Sequence, residues 1–138
     1  MILFVDDERR EMGSYVEELR LSGYEVNFVN NVDDALKFFA ENLISLNLIV
    51  LDIMLPHNNV FKDVDTELGL RTGVHLYRKF RIQAPDLPII ILTNVSDERI
   101  AKFFKQEAKC TFLPKEDILP YELAEEVQSI LSIPHKQE

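Results

Sequence analysis

Cysteine occurs once, at Cys110, so no internal disulfide can staple the chain, and its apolar neighbours suggest an inert buried thiol. Long hydrophobic runs are absent. The clearest, 1–5 and 46–51, are far too short to cross a bilayer, and the first lacks the basic flank and cleavage site of a signal peptide. The expectation is a soluble, cytoplasmic protein. Positive charge is scarce, with 15 Lys and Arg against 24 Asp and Glu, and a net charge of −9 repels a phosphate backbone. Direct nucleic-acid binding is therefore not expected. The 4 glycines and 6 prolines gather in no linker, and there is no internal repeat or low-complexity tract. At 138 residues and 46% hydrophobic composition, the chain can fill one core, so a single domain over 1–138 is expected.

What is present is a set of short apolar runs at regular intervals. Residues 2–5, 46–51, 88–92 and 110–113 are rich in Ile, Val, Leu and Phe and resemble strands buried on both faces, the signature of a parallel sheet. A fifth run, 24–29, alternates more and suits an edge. Between these lie helical stripes: Met12, Val16 and Leu19; Ala35, Leu36, Phe39 and Leu43; Leu70, Val74, Tyr77 and Phe80; Ile100, Phe103 and Phe104; Leu123, Val127, Ile130 and Leu131. Gly23 stops the first helix, Asn31 with Asp34 caps the second, Ser96 with Asp97 and Glu98 opens the fourth, and Pro120 suits the first turn of the fifth. Five strands alternating with five helices and joined by right-handed crossovers give a doubly wound α/β sheet. The simplest strand order is 2-1-3-4-5, with its ligand site at the carboxyl ends of strands 1 and 3.

Those two strands end on acid: Asp6-Asp7 after the first, Asp52 after the third. Carboxylates crowded at one end of a sheet repel one another, and a hard divalent cation, Mg2+ by preference, is what neutralises such a cluster. Strand 4 ends at Thr93 and strand 5 at Lys115 on the same rim. A phosphoryl group on a carboxylate needs an ammonium for one oxygen, a hydroxyl for another and a metal for the third. Asp52, ending the central strand, is then the nucleophile.

The pair Asp6-Asp7, the run Leu51-Asp52-Ile53-Met54-Leu55-Pro56, Thr93 and the segment Phe112-Leu113-Pro114-Lys115 together resemble the receiver domain of two-component response regulators, over essentially the whole chain. The resemblance implies a flavodoxin-like (βα)5 fold and a phosphorelay in which a histidine kinase or histidine phosphotransfer protein phosphorylates Asp52. It implies Mg2+ held by Asp7, Asp52 and the Met54 backbone carbonyl, with Asp6 acting mainly through water. It further implies a switch in which Thr93 moves toward the phosphoryl group and Phe112 turns inward behind it. Helix 4, strand 5 and helix 5 then become an output surface for a downstream protein, or a dimer face formed on phosphorylation. By the same resemblance the chain is not an enzyme, assisting only its own phosphorylation and dephosphorylation.

Three features depart from the family pattern. The glycine before helix 3 matches Gly73, leaving an insertion at about 57–68 after Pro56, either a lid or partner contact or a surface loop. Its acidic string Asp63-Val-Asp65-Thr-Glu67 is not a calcium loop, because Leu68 replaces the required glycine and Val74 the terminal glutamate. Lys115 is followed by Glu116 in place of proline, so a trans bond is expected there. His57, His75 and His135 have no metal-ligand spacing and are expected in solvent.

The alternative is a receiver-like interaction module that signals without phosphorylation: the complete acidic set, Thr93 and Lys115 argue against it, while the insertion and Asn94 speak for it. A phosphohydrolase lacks a second acid/base group after Asp52, and a nucleotide or flavin binder lacks a Gly-rich loop after strand 1. The third departure, Asn94 after Thr93 where the family favours a small residue, narrows access to an acyl phosphate. Asn94→Ala is expected to shorten the lifetime of the phosphorylated form, followed by intact mass after donor removal; an unchanged lifetime refutes the role.

Overall fold

A computed structural model of the chain describes residues 1–55, 72–94 and 97–132. The expected insertion at 57–68, Leu70, Ser96, His57 and His135 lie outside the described residues.

The described residues form five parallel strands, β1 (Ile2–Val5), β2 (Val26–Val29), β3 (Leu48–Leu51), β4 (Ile89–Thr93) and β5 (Cys110–Pro114), alternating with helices α1 (Arg9–Leu21), α2 (Val32–Asn42), α3 (Thr72–Gln83), α4 (Glu98–Lys105) and α5 (Pro120–Leu131). The sheet order is β2-β1-β3-β4-β5, the doubly wound arrangement expected. Strand side chains alternate between two cores. Leu3, Val5, Ile49, Leu51, Ile89 and Ile91 face α2, α3 and α4 through Phe39, Tyr77, Phe80 and Phe104. Ile2, Phe4, Leu48, Val50, Ile90 and Leu92 face α1 and α5 through Met12, Val16, Leu19, Leu123 and Val127. Burial on both faces is why these strands show as unbroken apolar runs in the sequence.

Local signals set the helix ends. Asn31 caps α2 by accepting the Asp34 N–H at 2.8 Å, Asp97 caps α4 by accepting from Arg99 at 2.9 Å, and Pro120 opens α5. Gly23, with φ of 100°, turns the chain out of α1 in the left-handed region. All described peptide bonds are trans, including the one after Lys115. Three expectations need correction. β5, expected to be buried on both faces, is half-buried from Cys110 to Leu113 with Pro114 exposed, because it is an edge of the sheet. His75 is half-buried on α3, because its neighbours Val74 and Leu76 are in the core, and Cys110 is half-buried at the start of β5.

Register aligns the functional rim. Val5 pairs with Val29 and Leu51, Leu51 with Ile91, and Thr93 with Pro114, so Asp6, Asp52, Thr93 and Lys115 emerge within about a residue of one level. Gly73 secures the return from β3. Its N–H donates to the Ile53 carbonyl at 3.1 Å, and a Cβ there would sit 2.1 Å from the Ile53 Cα. Since that obstacle is backbone one residue past Asp52, no rotamer change relieves it. Gly73→Ala is expected to destabilise the fold by about 3 kcal/mol, at the upper end of overpacking costs. Urea denaturation checks this, and a loss below about 1 kcal/mol contradicts the close packing.

Candidate functional site

The buried polar side chains at the carboxyl ends of the strands form one connected group. Asp52, Thr93, Asp6 and Lys115 are 2%, 0%, 1% and 7% exposed, while Asp7 stands at the surface. Burial of polar groups to that degree demands partners. Asp52 Oδ1 accepts from the Thr93 hydroxyl at 2.7 Å and from the Met54 N–H at 3.0 Å, and Asp52 Oδ2 accepts from Lys115 Nζ at 3.1 Å. Lys115 also donates to Glu8 Oε1 at 2.9 Å. Its third contact, Asp6 Oδ2 at 2.9 Å, is an ion pair lacking hydrogen-bond geometry, so that oxygen is buried without a hydrogen-bond donor.

The β1-α1 turn is shaped by its acids. Asp6 Oδ1 accepts the Glu8 N–H at 2.8 Å, a side-chain turn that begins α1, while Glu8, at the N-cap, makes no side-chain cap. One carboxylate oxygen each from Asp6, Asp7 and Asp52 falls within 4.8 Å of the others. Four carboxylates, counting Glu8, share one ammonium, and the protonation equilibria register the imbalance. Burial, then the charge of Asp52, pushes Asp6 up to about 6. Asp7 is raised by burial, Asp52 and Glu8. For Lys115, burial pulls downward, but Asp52, Glu8 and Asp6 overcome it and hold the ammonium above its ordinary range.

A hard divalent cation fits this arrangement on two grounds. The donors are all carboxylate oxygen, and the Asp6 oxygen without a donor is the kind of atom a metal or its water satisfies.

The structure brings together Asp6, Asp7, Asp52, Thr93 and Lys115 of the residues expected from sequence. Met54 contributes its N–H to Asp52, with its side chain 43% exposed. Asn94 is exposed beside Thr93. Phe112 stands apart from the carboxylates, half-buried and stacked on Phe104 at 6.2 Å between ring centres, with Lys105 Nζ 5.9 Å from its ring centre. Sequence reasoning missed Glu8, naming only the Asp6-Asp7 pair after strand 1. The helix begins at Arg9, and the Glu8 side chain crosses to Lys115, 107 residues away. The available signal was three consecutive acids at the end of β1.

A doubly wound sheet with an acidic cluster, a buried lysine and a buried hydroxyl at one rim defines a class, and comparison with known proteins agrees. The response regulator receiver domain family matches residues 2–128, and the chain belongs to that family. It is 33% identical over 105 residues to the Detocs response regulatory protein DtcB of Vibrio alginolyticus, covering 72% of this chain and 69% of DtcB. It is 31% identical over 102 residues to the response regulator MprA of Mycobacterium leprae (strain TN), where it spans only 38% of the longer protein. Among solved structures, the response regulator TrrA of Thermotoga maritima in complex with Mg2+-BeF superposes with a TM-score of 0.71 at 29% identity, over 94% of this chain and 97% of TrrA.

Asp6 yields a pH test of the electrostatics. A carboxyl raised from 3.8 to about 6 on folding contributes no penalty below pH 3.8, and the fold loses stability as pH rises through 6. Asp6→Asn removes that loss. In metal-free buffer it is expected to be about 2 kcal/mol more stable than the wild type at pH 7 and no more stable at pH 4. Urea titrations at both pH values check this, and equal stability at pH 7 contradicts it.

Proposed function

We propose that the protein is a phospho-accepting receiver, taking a phosphoryl group on Asp52 from a histidine kinase or histidine phosphotransfer protein. The observation that carries this is the pair of donors on Asp52, the Thr93 hydroxyl on one oxygen and the Lys115 ammonium on the other. Both are the groups that stabilise the oxygens of a transferring phosphoryl group. Asp52 Oδ2 accepts one hydrogen bond and keeps a lone pair for phosphorus, whereas Oδ1 already accepts two. As the O–P bond forms, the P–N bond of the phosphohistidine breaks, its electron pair returns to the imidazole, and Asp52 becomes an acyl phosphate. Hydrolysis later returns the carboxylate and inorganic phosphate, so the chain assists its own phosphorylation cycle and turns over no other substrate.

Asp7, Asp52 and the Met54 carbonyl, with Asp6 through water, are the groups that would hold Mg2+, whose chemistry is to offset charge on the phosphoryl oxygens. TrrA, similar over most of its length, was solved with Mg2+-BeF, which supports the same ligand class here. Phosphorylation gives Thr93 a new acceptor in place of Asp52 Oδ1. Phe112, lacking a hydroxyl, is held by its packing on Phe104 and by the Lys105 ammonium near its ring, and its contact with Phe104 passes the change to α4. The α4, β5 and α5 surface then serves a downstream protein or a second copy of the chain. We assign 1–138 to one receiver domain, place it in the cytoplasm with its phosphodonor, and retain Asn94 as the residue restricting access to the acyl phosphate. No described helix is long and apolar enough to cross a membrane.

Incubation with Mg2+ and acetyl phosphate, read by intact mass, is expected to add one labile phosphoryl group to the wild type and none to Asp52→Asn. No adduct on the wild type, or an equal adduct on the variant, overturns the assignment.

A further inference from the structure

Three carboxylate oxygens crowd the Lys115 ammonium: Glu8 Oε1 at 2.9 Å and Asp52 Oδ2 at 3.1 Å accept hydrogen bonds from it, and Asp6 Oδ2 at 2.9 Å is paired with it by charge. An incoming phosphoryl oxygen must compete with all three for this ammonium. The three are not equivalent. The Asp6 and Asp52 side chains are 1% and 3% exposed, so separating either from Lys115 leaves a buried carboxylate short of its cation. The Glu8 side chain is 51% exposed, and water can replace the lysine at little cost.

We infer that Glu8 is the exchangeable partner of Lys115, a positioning residue that occupies the ammonium until a phosphoryl oxygen takes its place and so slows phosphoryl uptake. The inference rests on the phospho-accepting reading of Asp52 and deepens it. Glu8 acts in two ways with the same sign. It competes for the Lys115 proton that the phosphoryl group needs, and it adds a fourth negative charge to a site that must admit an anion. Asp7 feels that charge, since Glu8 is among the causes raising its pKa. Glu8 is not needed to hold Lys115 in place, because the two buried carboxylates remain.

The test compares wild type, Glu8→Gln and Glu8→Asp with Mg2+ present. It follows phosphoryl uptake from acetyl phosphate by time-resolved intact mass and beryllofluoride affinity by calorimetry. Glu8→Gln keeps the shape and loses the charge, and is expected to take up phosphoryl about fivefold faster and bind beryllofluoride about fivefold more tightly. A residue that merely supported the fold would weaken both readouts when replaced. Glu8→Asp keeps the charge but falls a methylene short of Lys115, and is expected between the other two. Uptake by Glu8→Gln equal to or slower than a wild type that does phosphorylate overturns the inference alone, as does Glu8→Asp matching the wild type. A wild type that accepts no phosphoryl group overturns the reading of Asp52 itself, and the inference with it.

Discussion

One ammonium, that of Lys115, sits among carboxylates that would otherwise drive one another apart. With Asp6, Glu8 and Asp52 all within 3.1 Å of its nitrogen, it is the only cation the structure places inside the acidic rim among the described residues. A buried cluster of this kind contributes little net stability, because desolvation offsets most of the attraction. It is better understood as a site held ready for positive charge and an anionic group, at some expense to the fold. The raised Asp6 and the buried Asp6 oxygen without a donor are two views of that same excess of negative charge.

The rest of the architecture exists to bring these groups to one level. Parallel strands in register deliver four side chains from β1, β3, β4 and β5 to the same edge, which an antiparallel meander would scatter to both ends. Gly73 lets the start of α3 lie against Ile53, bracing the residue that follows Asp52. On the α1 and α5 face, the Tyr15 hydroxyl donates to the Ile118 carbonyl at 2.7 Å, tying α1 to the segment just beyond Lys115. On the other face, Phe112 of β5 stacks on Phe104 of α4 at 6.2 Å, joining the strand that leads to Lys115 to that helix.

Most of this was legible in the sequence for identifiable reasons. Strands buried on two faces leave no polar residues to interrupt them, so β1, β3 and β4 were visible as apolar runs, and the residues at their ends gave Asp6, Asp52 and Thr93; β5 was visible by its apolar composition although it is a half-buried edge, and Lys115 follows it. Caps such as Asn31 and Pro120 act within one turn and are equally visible. What failed depends on distance or neighbours. Glu8 reaches a partner 107 residues away, which no local pattern encodes. His75 reads as polar, yet its position between Val74 and Leu76 draws it half into the core. Strand β3 begins at Leu48, after Asn47 donates its N–H to the Met1 carbonyl at 2.8 Å, a boundary set by the neighbouring chain segment and not by composition.

The central claim is that the carboxylate held by both Lys115 and Thr93 is the one that becomes an acyl phosphate. Borohydride reduces an aspartyl phosphate to homoserine and leaves free carboxylates and phosphohistidine unconverted. Treating the phosphorylated protein with borohydride and sequencing its peptides by tandem mass spectrometry therefore locates the modified residue. The account predicts homoserine at position 52 and nowhere else; homoserine at 6 or 7, or none in a protein that carries phosphate, contradicts it.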